Sequence, residues 1–385
     1  PFDTAIALKN AGYTVDALCG YPKEYSTGEK VPWREEKDGI CIRRLAYLQM
    51  SKQSKLGRLV NYLSFTIAAM LHLFTLARYR VVIVYSNPPL LPWVAALAKQ
   101  IFQTKLIFVA YDLYPELAIV AEAAGEGGMI SRVMRHINHV VFSRADCVVA
   151  LSSEMRRYIL KNRTVAGETV TVIPNWYQDM GVAGSAGAEN RFYQDYEGRF
   201  VVSYLGNMGT MQDMDTILEA ARLLRDDSTI RFLLAGHGNK LEKLRQTVCV
   251  EGLENVKVLD FLHGKDFQDA LEISDCAVVS LIQGSTGLCV PSKTYSYMMR
   301  GIPLLVIMED SDIARDVESG AGVRVKNGDA TGMAAAICRM RDNPDILKAM
   351  SCRCVYSENY TAEIAAKRYV DMLRAVLSEN TCGKA

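Results

Sequence analysis

The sequence predicts an α/β protein made of two doubly wound domains that follow each other along the chain. Its 385 residues suffice for two domains, because a domain usually holds roughly 100–200 residues. Half of the residues are hydrophobic and 23% are charged, which is typical of a globular protein. Short apolar segments alternate with amphipathic stretches, and this alternation starts again after a segment rich in glycine and alanine.

The first half contains apolar segments that indicate buried parallel strands. They are Val15–Leu18, Val81–Tyr85, Leu106–Val109, Cys147–Ala150 and Val170–Ile173. Stretches with helical periodicity separate these segments. Gly181–Asn190 is rich in glycine and alanine and indicates a linker. We therefore expect a first domain over residues 1–178 and a linker over 179–198.

The second half repeats the pattern of strand, turn and helix. Its predicted strands are Phe200–Leu205, Ile230–Ala235, Val256–Phe261, Cys276–Leu281 and Leu304–Met308. Helices are predicted over Asp213–Leu224, which has one apolar face, and over Asn239–Cys249. We expect a second domain over residues 199–358 and a closing helix within 359–385, which crosses back to the first domain. Ligands of such sheets bind beyond the carboxyl ends of the strands, so we expect a site in a cleft between the domains.

The segment Leu56–Tyr79 has two open interpretations. Within it, Leu59–Ala77 is mostly apolar over 19 positions. Basic residues flank this stretch, namely Lys52, Lys55, Arg58, Arg78 and Arg80. One interpretation is a helix that rests on an anionic membrane surface, and the other is a buried helix of the first domain. A membrane span is disfavoured, because the segment lies inside an array of strands and helices.

The charge and the cysteines argue against two other classes of function. A net charge of +1 gives no general attraction for nucleic acid, and the sequence has no zinc-finger spacing. The ten cysteines are scattered, and a chain of this length does not need disulfides, so we expect reduced thiols. Only Cys352 and Cys354 stand close together, without a second Cys or His pair at ligand spacing. We therefore expect neither a nucleic-acid partner nor a metal.

A glycine loop follows the strand that opens the second domain. Its residues are Gly206, Asn207, Met208 and Gly209. Glycine lets the backbone approach a ligand closely, and loop amides together with the next helix N-terminus attract a diphosphate. Alone this signal is weak, because many strand-to-helix turns contain glycine. A turn with His237 and Lys240 follows the next strand, where it either covers a nucleotide or is only structural.

A second glycine-rich segment leads into a predicted helix. Pro291 and Ser292 favour a helix start, so Lys293 falls in the first turn. A cation there opposes the helix dipole, and a bound phosphate would compensate both charges. The preceding loop, with Gly287 and Leu288, can present backbone amides to sugar hydroxyls. The alternative is a plain loop with a solvated lysine, but two glycine loops in one domain favour phosphate binding.

A third motif lies at the end of a first-domain strand. Asp112 stands at the carboxyl edge of the strand, where this architecture places ligands. Pro115 suits the start of a helix, and the dipole favours Glu116 in its first turn. The alternative is that Asp112 only caps that helix.

Together these motifs resemble glycosyltransferase family 4 over nearly the whole chain. The similarity is to the branch that builds bacterial O-antigen, capsule and colanic-acid-type polysaccharides, including lipid-linked amino-sugar transferases. The branch's Asp-Leu-Trp-Pro-Glu is matched at 112–116, Ile-Pro-Asn-Trp at 173–176 and Gly-Asn-Met-Gly at 206–209. Pro-Ser-Lys, a tyrosine and Gly-x-Pro are matched at 291–293, Tyr295, Gly301 and Pro303. These motifs are specific jointly and not singly.

The resemblance implies the GT-B fold, with two Rossmann-like domains facing each other across a cleft, and a retaining sugar transfer. It implies a UDP-sugar donor, an N-acetylhexosamine or a relative, and a polyprenyl-diphosphate-linked glycan acceptor. It places the protein in the cytoplasm, on the inner face of the plasma membrane, and implies no cofactor or metal.

The resemblance also assigns roles to residues. Lys293 and the amides of Gly206–Met208 are expected at the diphosphate, Gly287 and Leu288 at the sugar, and Leu262 at the base. The remaining donor-binding candidates are Gly209, His237, Lys240, Pro291 and Ser292. The acceptor-side candidates are Tyr111, Asp112 and Glu116. Asp112 and Lys293 are the catalytic candidates.

The sequence departs from the family pattern at several points. Leu288 and Ser296 stand where many members carry two glutamates, 209–213 contains no phosphate-binding Arg or Lys, and Tyr111 replaces a histidine. Members also have a strand and a glycine loop before the helix that Pro1–Gly12 resembles, and we expect this part to be missing here. Two alternatives therefore stay open. One is a UDP-sugar 2-epimerase of the same shape, for which the five histidines form no convincing acid–base set, and the other is an inactive partner subunit.

Overall fold

The computed structural model describes residues 1–22, 31–50, 54–177, 184–185, 187–350 and 352–378. These form two compact units. Unit 1 comprises Pro1–Pro174, Gly287–Val290 and Ala362–Ala385, and unit 2 comprises Asn175–Thr286 and Pro291–Thr361. The predicted linker falls partly outside the described residues, because 178–183 and 186 are not among them.

Unit 1 contains a four-stranded parallel sheet and a three-stranded mixed sheet. Its strands are β1 (Asp16–Gly20), β2 (Arg34–Lys37), β3 (Ile40–Leu45), β4 (Val81–Tyr85), β5 (Lys105–Ala110), β6 (Cys147–Ala150) and β7 (Val170–Val172). The parallel sheet has the order β4-β5-β6-β7, and the other has the order β1-β3-β2. In β5 and β6 nearly every residue is buried, as expected for strands covered on both faces.

The first predicted strand is more exposed than we expected. Val15–Leu18 was expected to be buried, but in β1 the side chain of Leu18 is 38% exposed. β1 pairs in parallel with β3, and β3 pairs antiparallel with β2. The strand β2 was not predicted, because its sequence Arg-Glu-Glu-Lys lacks any apolar pattern.

The helices of unit 1 cover these sheets. They are α1 (Phe2–Asn10), α2 (Lys55–Leu71), α3 (Leu91–Phe102), α4 (Glu116–Val120), α5 (Met129–Arg144) and α6 (Ser153–Asn162), with 3₁₀ helices at Leu73–Arg78 and Gly167–Thr169. Ser54 and Ser152 cap α2 and α6, since each side chain accepts a hydrogen bond from a backbone amide of the first turn.

Helix α2 has one face in the core and one apolar face in solvent. Phe65 and Ala69 are buried, and they pack with residues of β3 and α3. On the other face Leu63, Ile67 and Leu71 are 42%, 60% and 78% exposed. Each of the two interpretations of Leu56–Tyr79 therefore fits one face of the helix. No helix within the described ranges is long and apolar enough to cross a bilayer.

Unit 2 is built on one six-stranded parallel sheet. Its strands are β8 (Phe200–Asn207), β9 (Ile230–His237), β10 (Val256–Asp260), β11 (Cys276–Ser280), β12 (Leu304–Ile307) and β13 (Gly322–Val325). The order is β10-β9-β8-β11-β12-β13. The five strands predicted for this half are confirmed within one or two residues at either end, and β13 is additional.

The helices of unit 2 lie before, between and after the strands of this sheet. They are α7 (Tyr193–Tyr196), α8 (Met214–Leu223), α9 (Leu241–Glu251), α10 (Gly264–Glu272), α11 (Lys293–Arg300), α12 (Asp312–Asp316), α13 (Ala330–Asp342), α14 (Pro344–Ala349) and α15 (Cys352–Asn359), with a 3₁₀ turn at Gly187–Glu189 and a π turn at Val317–Ala321. Asp213 caps α8 by accepting a hydrogen bond from the Thr216 amide, and the predicted apolar face of this helix is buried. The last helix, α16 (Ala362–Ser378), belongs to unit 1, where it packs against α1.

Candidate active site

Strands β8 and β9 end in a close pair of glycines. Gly206 lies opposite Gly236 in the register of the two strands. A Cβ atom on Gly236 would lie 1.7 Å from the carbonyl oxygen of Gly206, so no other residue fits there without a shift of the backbone. Gly206 itself has a φ of +139°, which residues with side chains rarely adopt. The two strand ends are thus brought together at the glycine loop that the sequence indicated.

Helix α11 begins and ends where its sequence predicts. Ser292 is the N-cap and Lys293 is the first helical residue, although the side chain of Ser292 makes no capping hydrogen bond. Gly301 follows the helix with left-handed φ and ψ of 74° and 20°. A lysine therefore occupies the positive end of this helix, with no acidic residue in the first turn.

The side chain of Lys293 is directed towards the glycine loop and not into solvent. Its Nζ atom lies 3.3 Å from the centroid of the Tyr204 ring. The Cε and Nζ atoms lie 3.5 and 3.8 Å from the position that a Cβ atom would take on Gly206. The Nζ atom is buried, and none of the residues that the structure describes is its hydrogen-bond partner. The alternative of a solvated lysine is therefore wrong.

The electrostatics of this lysine favour an anionic ligand. Burial lowers the pKa of Lys293 well below its usual value, because desolvation disfavours the charged form. The ring face of Tyr204 attracts a cation, but it cannot accept the three N–H donors of an ammonium as oxygen atoms would. An anion bound beside this amine would favour its charged form again, so the site suits an anionic ligand.

The neighbouring loops of unit 2 already use some of the groups assigned to a diphosphate. The amide of Met208 donates to the carbonyl oxygen of His237 at 2.6 Å. The amide is therefore engaged, and the prediction that it binds the diphosphate is wrong. The amide of Gly209 donates to the side chain of Gln212 at 2.9 Å. The ammonium of Lys240 donates to the carbonyl oxygen of Gln212 at 2.8 Å. The predicted anion binding therefore depends mainly on Lys293, and it stays a prediction.

Two further donor-side candidates lie at the ends of β9 and β10. His237 is exposed, and its ring centroid is 5.0 Å from that of Phe261. Phe261 also contacts the ring of His263, with centroids 4.6 Å apart. Leu262, which stands between Phe261 and His263 in the sequence, is half-buried. Asn207 is exposed at the end of β8. The predicted contacts of these residues with a nucleotide stay predictions.

In unit 1, Asp112 is held by backbone contacts on both sides. Its amide donates to Oγ of Ser86 at 3.0 Å. Asp112 also pairs with Cys289 in an isolated antiparallel bridge. The next amide, of Leu113, donates to the carbonyl oxygen of Leu288 at 2.9 Å. The segment Gly287–Val290 is therefore fastened to the Asp112 motif within unit 1.

The carboxyl group of Asp112 is not a helix cap. The N-cap of α4 is Pro115, which has no side-chain capping hydrogen bond, so the capping alternative is wrong. Burial raises the pKa of Asp112 to about 6, because a carboxylate is disfavoured where water is excluded. A carboxyl group with a pKa near neutrality can take up or release a proton at physiological pH.

The other acceptor-side candidates have partners within unit 1. Tyr111 stacks on Tyr85, with centroids 5.3 Å apart and an interplanar angle of 14°. Burial raises the pKa of the Tyr111 phenol. Glu116 forms an ion pair with Arg163, which also donates to the carbonyl oxygen of Tyr114 at 3.2 Å. Glu116 therefore has a structural role in the loop, and its predicted contact with an acceptor is not supported.

The sugar-side candidates are divided between the two units. Gly287 and Leu288 belong to unit 1, whereas Pro291 and Ser292 belong to unit 2. The side chain of Leu288 is buried at 3% exposure, and its backbone carbonyl oxygen already accepts from the Leu113 amide. A Cβ atom on Gly287 would lie 3.2 Å from the carbonyl oxygen of Glu154, and its φ is +82°. The contact of Gly287 and Leu288 with a sugar stays a prediction.

Two tyrosines that the sequence did not single out shape the lysine site. The Tyr204 hydroxyl donates to the carbonyl oxygen of Asn207 at 2.6 Å, which fixes the ring under Lys293. The Tyr297 hydroxyl accepts from the amide of Leu205 at 2.7 Å. For Tyr204 the available signal was its place in a predicted buried strand, where a hydroxyl needs a partner.

Metal ligands are not clustered in the described part of the chain. There, no group of three or more His, Cys, Asp or Glu side chains is placed to hold a metal ion. The cysteines in these ranges are free thiols. Cys352 is buried and its Sγ atom contacts the carbonyl oxygen of Ala321 at 2.7 Å, whereas Cys354 is exposed.

Known domain families match both halves of the chain. The glycosyl transferase 4-like domain matches residues 3–176, and the glycosyl transferases group 1 domain matches residues 199–343. Among named relatives, the probable glycosyltransferase WbjE of Pseudomonas aeruginosa is 24% identical over 304 residues, which are 78% of this chain and 76% of WbjE. The putative colanic acid biosynthesis glycosyl transferase WcaI of Escherichia coli K12 is 23% identical over 318 residues, 79% of this chain and 77% of WcaI.

Solved structures show the same fold. Sucrose-phosphate synthase from Thermosynechococcus elongatus superposes with a TM-score of 0.77 at 16% identity, over 98% of this chain and 92% of the other. Anabaena HepE in complex with UDP has a TM-score of 0.67 at 15% identity, over 87% and 86% of the chains. The fold is thus the GT-B fold, with two Rossmann-like domains. The chain is a glycosyltransferase of the family 4 type, with a glycosyl transferase 4-like domain followed by a glycosyl transferases group 1 domain.

Proposed function

We propose that this chain is a retaining transferase that moves a sugar from UDP to a lipid-linked glycan acceptor in bacterial surface polysaccharide synthesis. The sugar is an N-acetylhexosamine or a relative. The observation that carries the proposal is the buried amine of Lys293, which has no hydrogen-bond partner among the described residues and lies beside the glycine pair at the ends of β8 and β9. The UDP bound to HepE supports the donor, and the colanic acid role in the name of WcaI supports the product class.

The proposed chemistry follows from charge. When the bond between the anomeric carbon and the diphosphate oxygen breaks, negative charge grows on the leaving UDP. A fixed cation at a helix N-terminus stabilises that charge without the reorganisation that water needs, and Lys293 is our candidate for this role. The acceptor oxygen forms the new bond on the same face of the sugar, which retains the configuration.

The proton of the acceptor hydroxyl also has to leave. We assign it to Asp112, since burial raises the pKa of this carboxyl to about 6 and a base acts best near the operating pH. The proton then resides on the carboxyl group until solvent or the leaving phosphate takes it. Asp112 and Lys293 thus have opposite tasks, one on the nucleophile and one on the leaving group.

The exposed face of α2 supports a membrane-bound acceptor. Leu63, Ile67 and Leu71 form an apolar stripe along the helix, and Arg78 and Arg80 are exposed just after it. An apolar stripe beside basic residues binds an anionic lipid surface. We propose that the protein works peripherally, on the cytoplasmic face of the inner membrane.

The donor site is tested by Lys293→Ala and by titration calorimetry with UDP. A hydrogen bond to a charged group contributes about 1.5–3 kcal/mol, so the substitution should weaken UDP binding roughly 10- to 150-fold. Lys243→Ala is the matched control, because Lys243 is an exposed lysine of α9 in the same unit. If the Lys293 variant and the wild type bind UDP with equal affinity, Lys293 does not contribute to UDP binding and the proposal is wrong.

Incubation with UDP-sugars and membrane extracts distinguishes this function from the two alternatives. A transferase releases UDP in an amount equal to the sugar that becomes lipid-linked. A 2-epimerase inverts the configuration at C2 of the sugar, and an inactive subunit produces neither result.

A further inference from the structure

A pocket of about 340 Å³ is lined entirely by residues of unit 1. This volume is in the usual range for small-ligand sites, roughly 300–1,000 Å³. Helix α2 supplies one wall of the pocket, and the ends of β1 and β4 supply the other. The residues that matter here are Gly20, Tyr47, Arg58, Tyr62, Phe65 and Asn87.

The packing of the aromatic wall depends on a glycine. A Cβ atom on Gly20 would lie 2.8 Å from Cε1 of Tyr47, so the ring occupies the space that a side chain would fill. The rings of Tyr47 and Phe65 meet edge to face, with centroids 5.3 Å apart. Asn61 of α2 holds the segment that follows Tyr47, because its side chain bonds both the amide and the carbonyl oxygen of Met50. The wall is therefore a preformed surface of ring faces and edges.

Arg58 provides the positive charge of the pocket. It is half-buried on α2, and its guanidinium group has planar donors that suit phosphate oxygens. Aromatic side chains beside a phosphate-binding group are the usual platform for a sugar ring or another flat polar group. The chemistry of the pocket thus suits a sugar phosphate better than an uncharged glycan.

One wall of the pocket is joined to the Asp112 motif by a hydrogen bond. Asn87 in its wall follows Ser86, whose Oγ atom accepts the hydrogen bond from the Asp112 amide at 3.0 Å. Burial raises the pKa of Tyr114, and Tyr62 and Arg58 of the pocket are both close enough to shift it further, in opposite directions. Tyr114, whose pKa responds to Asp112 as well as to Arg58 and Tyr62, therefore lies within electrostatic reach of both the pocket and the Asp112 motif.

The same helix carries the pocket and the apolar stripe on opposite faces. At about 100° per residue, Arg58, Tyr62 and Phe65 fall on one side of α2, and Leu63, Ile67 and Leu71 fall on the other. The helix thus separates the two surfaces by roughly 10 Å, its own diameter. A phosphate-bearing head group that extends from a lipid bound at the stripe would reach the pocket around the helix.

We infer that this pocket binds the phosphate-bearing head group of the lipid-linked acceptor, with Arg58 on the phosphate and the rings of Tyr47 and Phe65 against the attached sugar. The inference rests on the proposed function and extends it, because it assigns the acceptor to residues outside the Asp112 motif. A pocket with these contacts would select an acceptor that carries phosphate close to its reacting sugar.

The test measures binding of geranyl diphosphate to the full chain by calorimetry in the presence of saturating UDP. UDP occupies the donor site, so a second diphosphate reports on unit 1. We expect Arg58→Gln to weaken this binding roughly 10- to 100-fold, and Arg58→Lys to weaken it less, because a lysine keeps the charge without the planar donors. Arg157→Gln is the matched control, since Arg157 is exposed on α6 of the same unit.

If circular dichroism shows that Arg58→Gln is unfolded, a second variant keeps the test valid. Gly20→Ala leaves the charge in place but forces the Tyr47 ring from its position, and it should also weaken binding of geranyl diphosphate. Inorganic pyrophosphate should bind more weakly than geranyl diphosphate if the pocket takes a lipid-linked head group. Equal binding of the two probes would indicate a site for free phosphate and overturn the assignment.

Unchanged affinity of folded Arg58→Gln for geranyl diphosphate, or no binding by the wild type, would also overturn it. The titration with UDP alone is independent of this result. If the wild type binds UDP but not geranyl diphosphate, only the assignment of the pocket is wrong. If the wild type does not bind UDP, the proposed function is wrong.

Discussion

Lys293 shows how one residue can be predicted in position but not in environment. The Pro-Ser-Lys pattern placed it at the start of a helix, and the structure confirms this. Its contact with Tyr204 joins residues 89 positions apart, and no local pattern reports such a contact. The same holds for Glu116, whose helix position was predicted and whose ion pair with Arg163 was not. Local helix propensity predicts the position of a residue in a helix, whereas tertiary packing determines which residues its side chain contacts.

The buried position of Lys293 predicts that UDP binding takes up a proton. Burial lowers the pKa of this lysine in the free protein, and an adjacent diphosphate raises the pKa again. Between these two pKa values the complex holds one more proton than the free protein, so UDP affinity should fall as pH rises through that window. Calorimetry above pH ~7, in two buffers with different ionisation enthalpies, gives the number of protons bound, because the terminal phosphate (pKa ≈ 6) is already ionised there.

The control for proton uptake is Lys293→Met, which keeps the length of the side chain but cannot titrate. This variant should bind UDP weakly and with the same heat in both buffers. Identical heats for the wild type would contradict a neutral lysine in the free site.

Asp112 makes a separate prediction for the pH dependence of transfer. A base must be ionised to accept a proton, and burial raises the pKa of this carboxyl to about 6. The rate of transfer should therefore rise with pH up to about 6 and level off above it. Asp112→Asn should lower kcat by about 10²–10⁴-fold and abolish this acid limb. An Asn variant that keeps the acid limb would show that another group titrates there.

Helix α2 could not be assigned to one environment from its sequence. Its apolar residues cover more than one face, so periodicity alone does not distinguish a buried helix from one that lies on a membrane. In the structure the Phe65 side packs against β3 and α3, and the Leu63 side is exposed. Strand β2 was hard to predict for the opposite reason, since its four residues are all charged and its only signal is the pairing with β3.

The exposed stripe of α2 predicts binding to lipid vesicles. Each apolar side chain that leaves water contributes about 1.5–3 kcal/mol, so Leu63→Asp, Ile67→Asp and Leu71→Asp together should lower vesicle binding more than ~100-fold. Flotation with vesicles of phosphatidylglycerol and phosphatidylethanolamine measures this. The fold should persist by circular dichroism, because these side chains are already 42–78% exposed.

The matched control for the stripe replaces exposed apolar residues of unit 2. Leu223→Asp and Val250→Asp also replace apolar side chains by carboxylates, two against the three of the stripe variant, at positions that are 58% and 83% exposed. This pair should bind vesicles as the wild type does. Equal loss in both variants would mean that negative charge, and not the stripe, governs binding.

At the scale of the whole molecule, the alternation of strands and helices was predictable because parallel strands are covered on both faces. They appear in the sequence as continuous apolar runs, as in Cys276–Ser280 of β11. The assignment of Gly287–Val290 to unit 1 was not predictable, because it depends on two backbone contacts with the Asp112 motif. The candidate groups for donor, acceptor and membrane thus lie on separate parts of one chain.

This separation predicts that membrane attachment and chemistry can be lost independently. With an acceptor embedded in vesicles, the triple Asp variant of α2 should transfer sugar far more slowly than the wild type, because attachment raises the local concentration of enzyme at the acceptor. With the same acceptor dispersed in detergent micelles, its rate should approach that of the wild type. Lys293→Met should be slow in both assays, because it lacks the charge that stabilises the leaving UDP. If the α2 variant were equally slow in micelles, the stripe would belong to the catalytic machinery and not to membrane attachment.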